Sequence, residues 1–176
     1  GRGVEPSDEK ALKPYQKAAE QGDAHAQYNL GVMYEYGRGV AQSYEKAAEW
    51  VLKAANQGFA DAQFRLGIMY GLRRSYKKAV EWVLKAAEQG LARAQCNLGA
   101  MYYDGHGVEQ SYEKAAEWFL KAAEQGFADA QCKLGTMYKN GTGVEESYEK
   151  AEKWYLKAAE QGFADAQCKL GIMYED

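Results

Sequence analysis

Proline is scarce in this chain, with only Pro6 and Pro14 among 176 residues. No apolar run is long enough to cross a bilayer, which excludes a helical membrane anchor within this stretch. Charge of one sign is also missing: the net charge is −3, too mild for a general attraction to nucleic acid or anionic lipid. Histidine is nearly absent, and His25 and His106 stand far apart with no partner at ligand spacing, so no metal site is expected. A nucleophile needs a base and an orienting group within reach, and no Ser-His or Cys-His spacing supplies them. The sequence therefore points to a protein without a cofactor and without catalysis.

What is present is repetition. Lys121–Gly135 (KAAEQGFADAQCKLG) returns residue for residue at Lys157–Gly171, and looser copies lie at Lys17–Gly31, Lys53–Gly67 and Lys85–Gly99. Five Leu-Gly pairs begin at Leu30, Leu66, Leu98, Leu134 and Leu170, separated by 36, 32, 36 and 36 residues. A fixed period of this size is the mark of a solenoid in which each unit contacts its neighbours. Hydrophobic residues make up 47% of the chain, much of it Ala and Tyr, and the 19 Gly are periodic rather than clustered.

Each unit reads as two helices. Ala60–Tyr70 places Ala62, Leu66, Met69 and Tyr70 at spacings of three to four, giving one apolar face. Ser111–Gln125 does the same with Tyr112, Ala115, Ala116, Phe119, Ala122 and Ala123. These are called the A and B helices. Ser43, Ser75, Ser111 and Ser147 are N-caps for the B helices, and Gly58, Gly90, Gly126 and Gly162 end them. Each A helix carries a mid-helix glycine at Gly31, Gly67, Gly99, Gly135 or Gly171. Glycine there costs about 1 kcal/mol against Ala, so a contact without room for a side chain is expected, with the Ala-rich B helix facing it. Trp50, Trp82, Trp118 and Trp154 share one B-helix position and read as wedges filling the seam between units.

The motif AxAQxxLGxMY, then GxGV, then SYEKAxEW, then KAAEQG resembles the Sel-like repeat family, a longer-looped relative of the tetratricopeptide repeat, over nearly all of Val4–Tyr174. The resemblance implies an all-α, right-handed superhelical solenoid of antiparallel helix pairs, about ten helices, serving as a scaffold or adaptor for protein partners. The expected order is a B helix within 1–22, full repeats at 23–58, 59–90, 91–126 and 127–162, and an A helix in 163–176. Gly1–Val4 copies the loop Gly37–Val40, so a piece of a longer array, or an array without caps, is expected.

Two departures stand out. Pro14 replaces the B-helix Trp and predicts a kink or restart near Lys13–Pro14. The linker after Tyr70 is four residues short: Gly71–Arg74 runs straight into Ser75, which predicts a tight turn. Arg73, Arg74, Lys77 and Lys78 there form either a site for an acidic segment or phosphate, or a solvated loop and helix start.

By resemblance the A helices line a concave face that binds a protein or peptide. The inward positions are His25, Tyr28, Val32, Glu35 and Tyr36, then Asp61, Phe64 and Ile68. Arg93, Cys96, Ala100, Tyr103 and Asp104 follow, then Asp129, Cys132, Thr136, Lys139 and Asn140, then Asp165, Cys168 and Ile172. Comparison among the repeats agrees: Leu30, Gly31, Met33 and Tyr34 recur in type, whereas Tyr28/Phe64/Cys96 and Val32/Ile68/Ala100/Thr136 vary. Packing holds the first set, and either a partner or simple drift frees the second. Tyr28, Tyr36, Phe64 and Tyr103 are candidate anchors, and Glu35, Asp61, Asp104, Asp129 and Asp165 favour a partner with basic character.

Cys96, Cys132 and Cys168 occupy one position in successive A helices. Packed helices lie roughly 8–10 Å apart, beyond the ~7 Å Cα separation a disulfide tolerates, so these thiols stay unpaired and favour a reducing, cytoplasmic compartment. A cysteine-rich branch of the family carries two cysteines per repeat, unlike this chain, and its suggested hydrolase activity is an alternative. A third reading is end-to-end self-association through apolar seams at Leu12, Tyr15, Met173 and Tyr174.

Overall fold

The computed structural model describes residues 6–175, with side chains from Lys10 onward. The Gly1–Val4 loop copy lies outside the described residues. Among these residues there are ten helices and no strand. They are α1 (Pro6–Glu20), α2 (Ala24–Tyr36), α3 (Tyr44–Asn56), α4 (Ala60–Leu72), α5 (Tyr76–Glu88), α6 (Ala92–Asp104), α7 (Tyr112–Glu124), α8 (Ala128–Asn140), α9 (Tyr148–Glu160) and α10 (Ala164–Glu175). Even-numbered helices are A helices and odd-numbered ones are B helices. The chain divides into two compact units, one ending at Ala86 and one beginning at Ala87. In the first, α2 packs on α1 and α3, and α3 on α4; in the second, α6 through α10 pack in chain order.

The caps follow the expected chemistry. Ser43, Ser111 and Ser147 accept from the backbone N–H of Lys46, Lys114 and Lys150 at 3.3, 3.3 and 3.2 Å. The expected restart at Pro14 is absent, because α1 runs unbroken from Pro6 to Glu20 with Pro14 inside it. Lys10 and Pro14 are both exposed. A proline removes one backbone donor, and the helix continues through it at this exposed position. The short linker does make a tight turn: α4 runs to Leu72, Arg74 N–H donates to Gly71 O at 2.9 Å, and Arg74 takes the left-handed φ of 56°.

The mid-helix glycines face bulk rather than alanine side chains, which corrects the expectation. A Cβ on Gly31 or Gly67 would sit 2.7 or 2.5 Å from a methyl of Val51 or Val83. On Gly99 or Gly135 it would sit 2.8 Å from the ring of Phe119 or Tyr155. Alanine contributes its backbone: the Ala47, Ala79 and Ala151 carbonyls lie 3.1, 3.1 and 3.2 Å away. Each missing side chain thus lets a fully buried B-helix residue reach the A-helix backbone. Gly171 on α10 meets nothing within 4 Å. The tryptophans do wedge the seam: Trp50, Trp82 and Trp154 pack beside the clusters around Leu30, Leu66 and Leu134. Lys53, Lys85 and Lys157 close over them at 3.9, 4.2 and 4.3 Å.

A polar link runs through the same seam. The buried Gln27, Gln63, Gln95 and Gln131 each donate to a carbonyl in the last turn of the preceding B helix: Ala19, Ala55, Ala87 and Ala123, at 3.0–3.2 Å. Each of these carbonyls also accepts from the backbone N–H of the glycine three residues on, at 3.0–3.1 Å, so the amide is a second donor at the helix end. The following B helix then donates back, from Gln57 to Gln27, Gln125 to Gln95 and Gln161 to Gln131, at 2.7–2.8 Å. One amide therefore joins three helices.

Two outcomes follow. Gly135→Ala should lower stability by about 1–3 kcal/mol through overpacking against Tyr155, whereas Gly171→Ala should be neutral or stabilising by up to about 1 kcal/mol; paired thermal melts by circular dichroism check the contrast. Gln131→Leu, which removes the bridge between the Ala123 carbonyl and the Gln161 amide, should cost about 1 kcal/mol, since the Gly126 N–H and the Lys157 carbonyl remain as second partners. A denaturant melt of Gln131→Leu coinciding with the parent would contradict the three-helix link.

Candidate functional site

In the first unit the A-helix face is built by α2 and α4. Glu35 and Tyr36, from the last turn of α2, meet Arg65 of α4. Arg65 Nε lies 2.9 Å from Glu35 Oε2, and its second amine donates to the Tyr36 hydroxyl at 2.9 Å. Burial works against the Arg65 charge, but Glu35 and Tyr36 outweigh it and hold its pKa above the ordinary value. Tyr36 is 54% exposed, with the Arg38 and Arg65 guanidiniums each 5.3 Å from its ring centre. The other expected anchor, Tyr28, is half-buried and packs its ring 5.4 Å from Phe59, beside the Val51–Leu66 cluster, so it serves the core as well as the face. His25 is exposed and meets Phe59 edge-on at 5.7 Å. Val32, Asp61, Phe64 and Ile68 are half-buried.

The second unit brings more of the expected residues together. Ala100, Tyr103 and Asp104 of α6, Asp129, Cys132, Thr136 and Asn140 of α8, and Asp165 of α10 line one open cavity of about 310 Å³. Three successive A helices therefore share this wall. Tyr103 is 37% exposed, with its ring 5.0 Å from that of Tyr112. Thr136 accepts from the buried Tyr155 hydroxyl at 3.0 Å and donates to the Cys132 carbonyl at 3.1 Å, which braces the floor. Arg93, Cys96 and Lys139 do not line the cavity: Arg93 is exposed, Cys96 is buried and Lys139 is half-buried. Cys168 and Ile172 are exposed on α10. Arg73, Arg74, Lys77 and Lys78 are all exposed at the α4–α5 turn, with Lys78 Nζ 5.6 Å from the Tyr70 ring centre.

The sequence reading passed over one column of residues. Arg65, Lys133 and Lys169 precede the Leu-Gly pair, where Asn29 and Asn97 stand in other repeats. Lys133 lies 3.6 Å from Asp129 and Lys169 3.9 Å from Asp165. The acidic bias expected of this face is thereby largely balanced: three aspartates and two lysines line the cavity. The variation at that position was visible among the repeats and is the signal that finds it.

The cysteines are free thiols. Cys96 Sγ donates to Asp129 at 3.4 Å, and Cys132 Sγ to Asp165 at 3.2 Å. Burial and the neighbouring carboxylate raise both thiols, Cys132 to about 12. Among the described residues no cluster of His, Cys, Asp and Glu could hold a metal ion, and no helix is long and apolar enough to cross a membrane.

A family model described as the Sel1 repeat matches residues 1–23, 24–59, 60–91, 92–127, 128–163 and 164–176. A protective antigen of uropathogenic Escherichia coli, described as displaying an SLR fold, is 40% identical with a TM-score of 0.90; the match covers 93% of this chain and 36% of that one. A Sel1 repeat protein from Oxalobacter formigenes is 35% identical with a TM-score of 0.86, covering 94% and 68%. An immunity protein from Pseudomonas aeruginosa is 28% identical with a TM-score of 0.61, covering 94% and 62%. This chain thus spans about a third of the antigen's length. No curated protein matches it.

The thiols supply a test. With a thiol reagent at pH 8 the native chain should expose one fast-reacting cysteine, Cys168, and unfolding should release three. Because the raised thiols are neutral in the fold, the stability they contribute is complete below about pH 9 and is lost as pH rises towards about 12. Two or three fast thiols in the native chain would contradict the buried thiol–carboxylate pairs.

Proposed function

The chain belongs to the Sel1 repeat family, and on that premise we propose that it is a non-catalytic scaffold whose A-helix face holds a segment of a protein partner. Sel1 repeat proteins generally mediate protein–protein interaction, and the family is generally non-enzymatic. The all-α solenoid is the architecture that such scaffolds use. The observation that carries the proposal is the cavity of the second unit. It is walled by three successive A helices, carries the exposed Tyr103 and offers charges of both signs. Exposed aromatics beside charged groups are what interface anchors look like.

The paired charges argue for a segment with both a cation and an acceptor, rather than for a purely basic one. Asp104 is exposed and offers a carboxylate for the cation, with the His106 ring nitrogen 3.8 Å away. A hydrolase reading requires an activated nucleophile. Cys96 and Cys132 are held instead as thiols, each donating to a carboxylate, the opposite of the environment that makes a cysteine reactive.

The test is affinity capture from a host lysate with the parent chain and a Tyr103→Ala/Asp104→Arg variant, both exposed positions, with circular dichroism confirming that each folds. A saturable partner should be held by the parent and depleted about ten-fold or more by the variant. Equal recovery by the two proteins would remove this face as the site.

A further inference from the structure

The turn between α4 and α5 is where a full repeat lacks its Gly-x-Gly-Val segment, and the second unit shows what that segment does. Between α8 and α9, Gly143 has φ +68° and lies so close to the Tyr112 backbone of α7 that no Cβ fits. Val144 packs onto the cluster containing Ala116, Phe119, Leu134 and Met137, beside Leu120 and Tyr138. Beneath this loop Ala116 is 6% and Met137 2% exposed. Met33 and Met101, whose repeats also keep the segment, are 6% and 9% exposed.

The same residues recur 68 positions earlier as Ala48, Leu52, Leu66, Met69 and Tyr70, with no valine to cover them. Ala48 and Met69 are only half-buried there, and Leu52 is 37% exposed. Together they line an open, mainly apolar notch of about 170 Å³ between α3 and α4, edged by Glu49 and Arg73. On the side of the α4–α5 turn the surface is basic, since Arg73, Arg74, Lys77 and Lys78 are all exposed. In two of the three intact loops between these helices the valine is followed by an acid, at Val108-Glu109 and Val144-Glu145, and in the third Val40 is followed by Ala41.

We propose that this notch docks an extended acidic segment of a protein partner, which takes the place of the missing loop. One aliphatic side chain enters between Leu52 and Met69, and the carboxylates that follow it meet Arg73, Arg74 and Lys77. The apolar contact fixes register, and the charges supply the sign of the partner. This site is separate from the A-helix cavity of the second unit and stands or falls without it.

The probe is the capped peptide Gly-Thr-Gly-Val-Glu-Glu, titrated into the isotope-labelled chain and followed by NMR. Saturable shifts are expected at Ala48, Leu52, Met69 and Arg73. Replacing the peptide valine by serine, or using Arg73→Glu/Lys77→Glu protein, should weaken binding about ten-fold. A second variant inserts Gly-Thr-Gly-Val between Leu72 and Arg73, restoring the full linker; it should melt higher and no longer bind the peptide. Binding indifferent to the valine, or retained by the folded insertion variant, would overturn the proposal. So would inorganic phosphate reproducing all the shifts, or the shifts arising on concentrating the chain alone, which would make the occupant a simple anion or a second copy.

Discussion

The close approach of a B helix to the glycine of its A helix sets the spacing on which everything else in a repeat rests. The backbone of the A helix is laid bare at one point, and Val51, Val83, Phe119 or Tyr155 fills it from the other side. These B-helix residues are among the most completely buried in the chain. The helix-propensity loss at glycine is small beside the stabilisation from burying a valine or an aromatic ring, about 1.5–3 kcal/mol each. Once the pair is seated, the amide of Gln27, Gln95 or Gln131 lies within reach of both flanking B helices.

The architecture was legible because its signals are periodic. The Leu-Gly pairs, the serine caps and the glycine ends recur, so each helix was read several times over, and a tight turn followed directly from four missing residues. Of the kink or restart expected at Pro14 the restart does not occur, because the cost of one lost donor depends on surroundings a sequence does not state, and Lys10 and Pro14 are both exposed. The partner of the glycine was read wrongly for a related reason. Small residues facing small residues is the simplest close packing, whereas here absence on one helix is matched by bulk on the other.

The candidate face was legible in position but not in electrostatics. Varying positions on the A helices do gather in one cavity, with Tyr103, Asp129, Thr136 and Asp165 among them. Their charge could not be read without the preceding column, because Lys133 and Lys169 reach across one helical turn to the aspartates of their own helices. The glutamine link was printed in every AxAQ motif. Its meaning required knowing which last-turn carbonyls of the preceding helix take a second donor.

The thiol–carboxylate contacts join residues 33 apart, and the glutamine pairs join residues 30 apart. Both spans stay within about one period: the glutamine pairs close within one repeat, and the thiol–carboxylate contacts run from one repeat to the next. Loss or duplication of a whole period, cut anywhere in the identical Lys121–Gly135 and Lys157–Gly171 stretches, would rejoin each bond to an equivalent partner. Exchanges of whole periods between these stretches would therefore change the array length while the packing rules stay the same. The short linker after Tyr70 then acts as a fixed landmark that such exchanges leave in place.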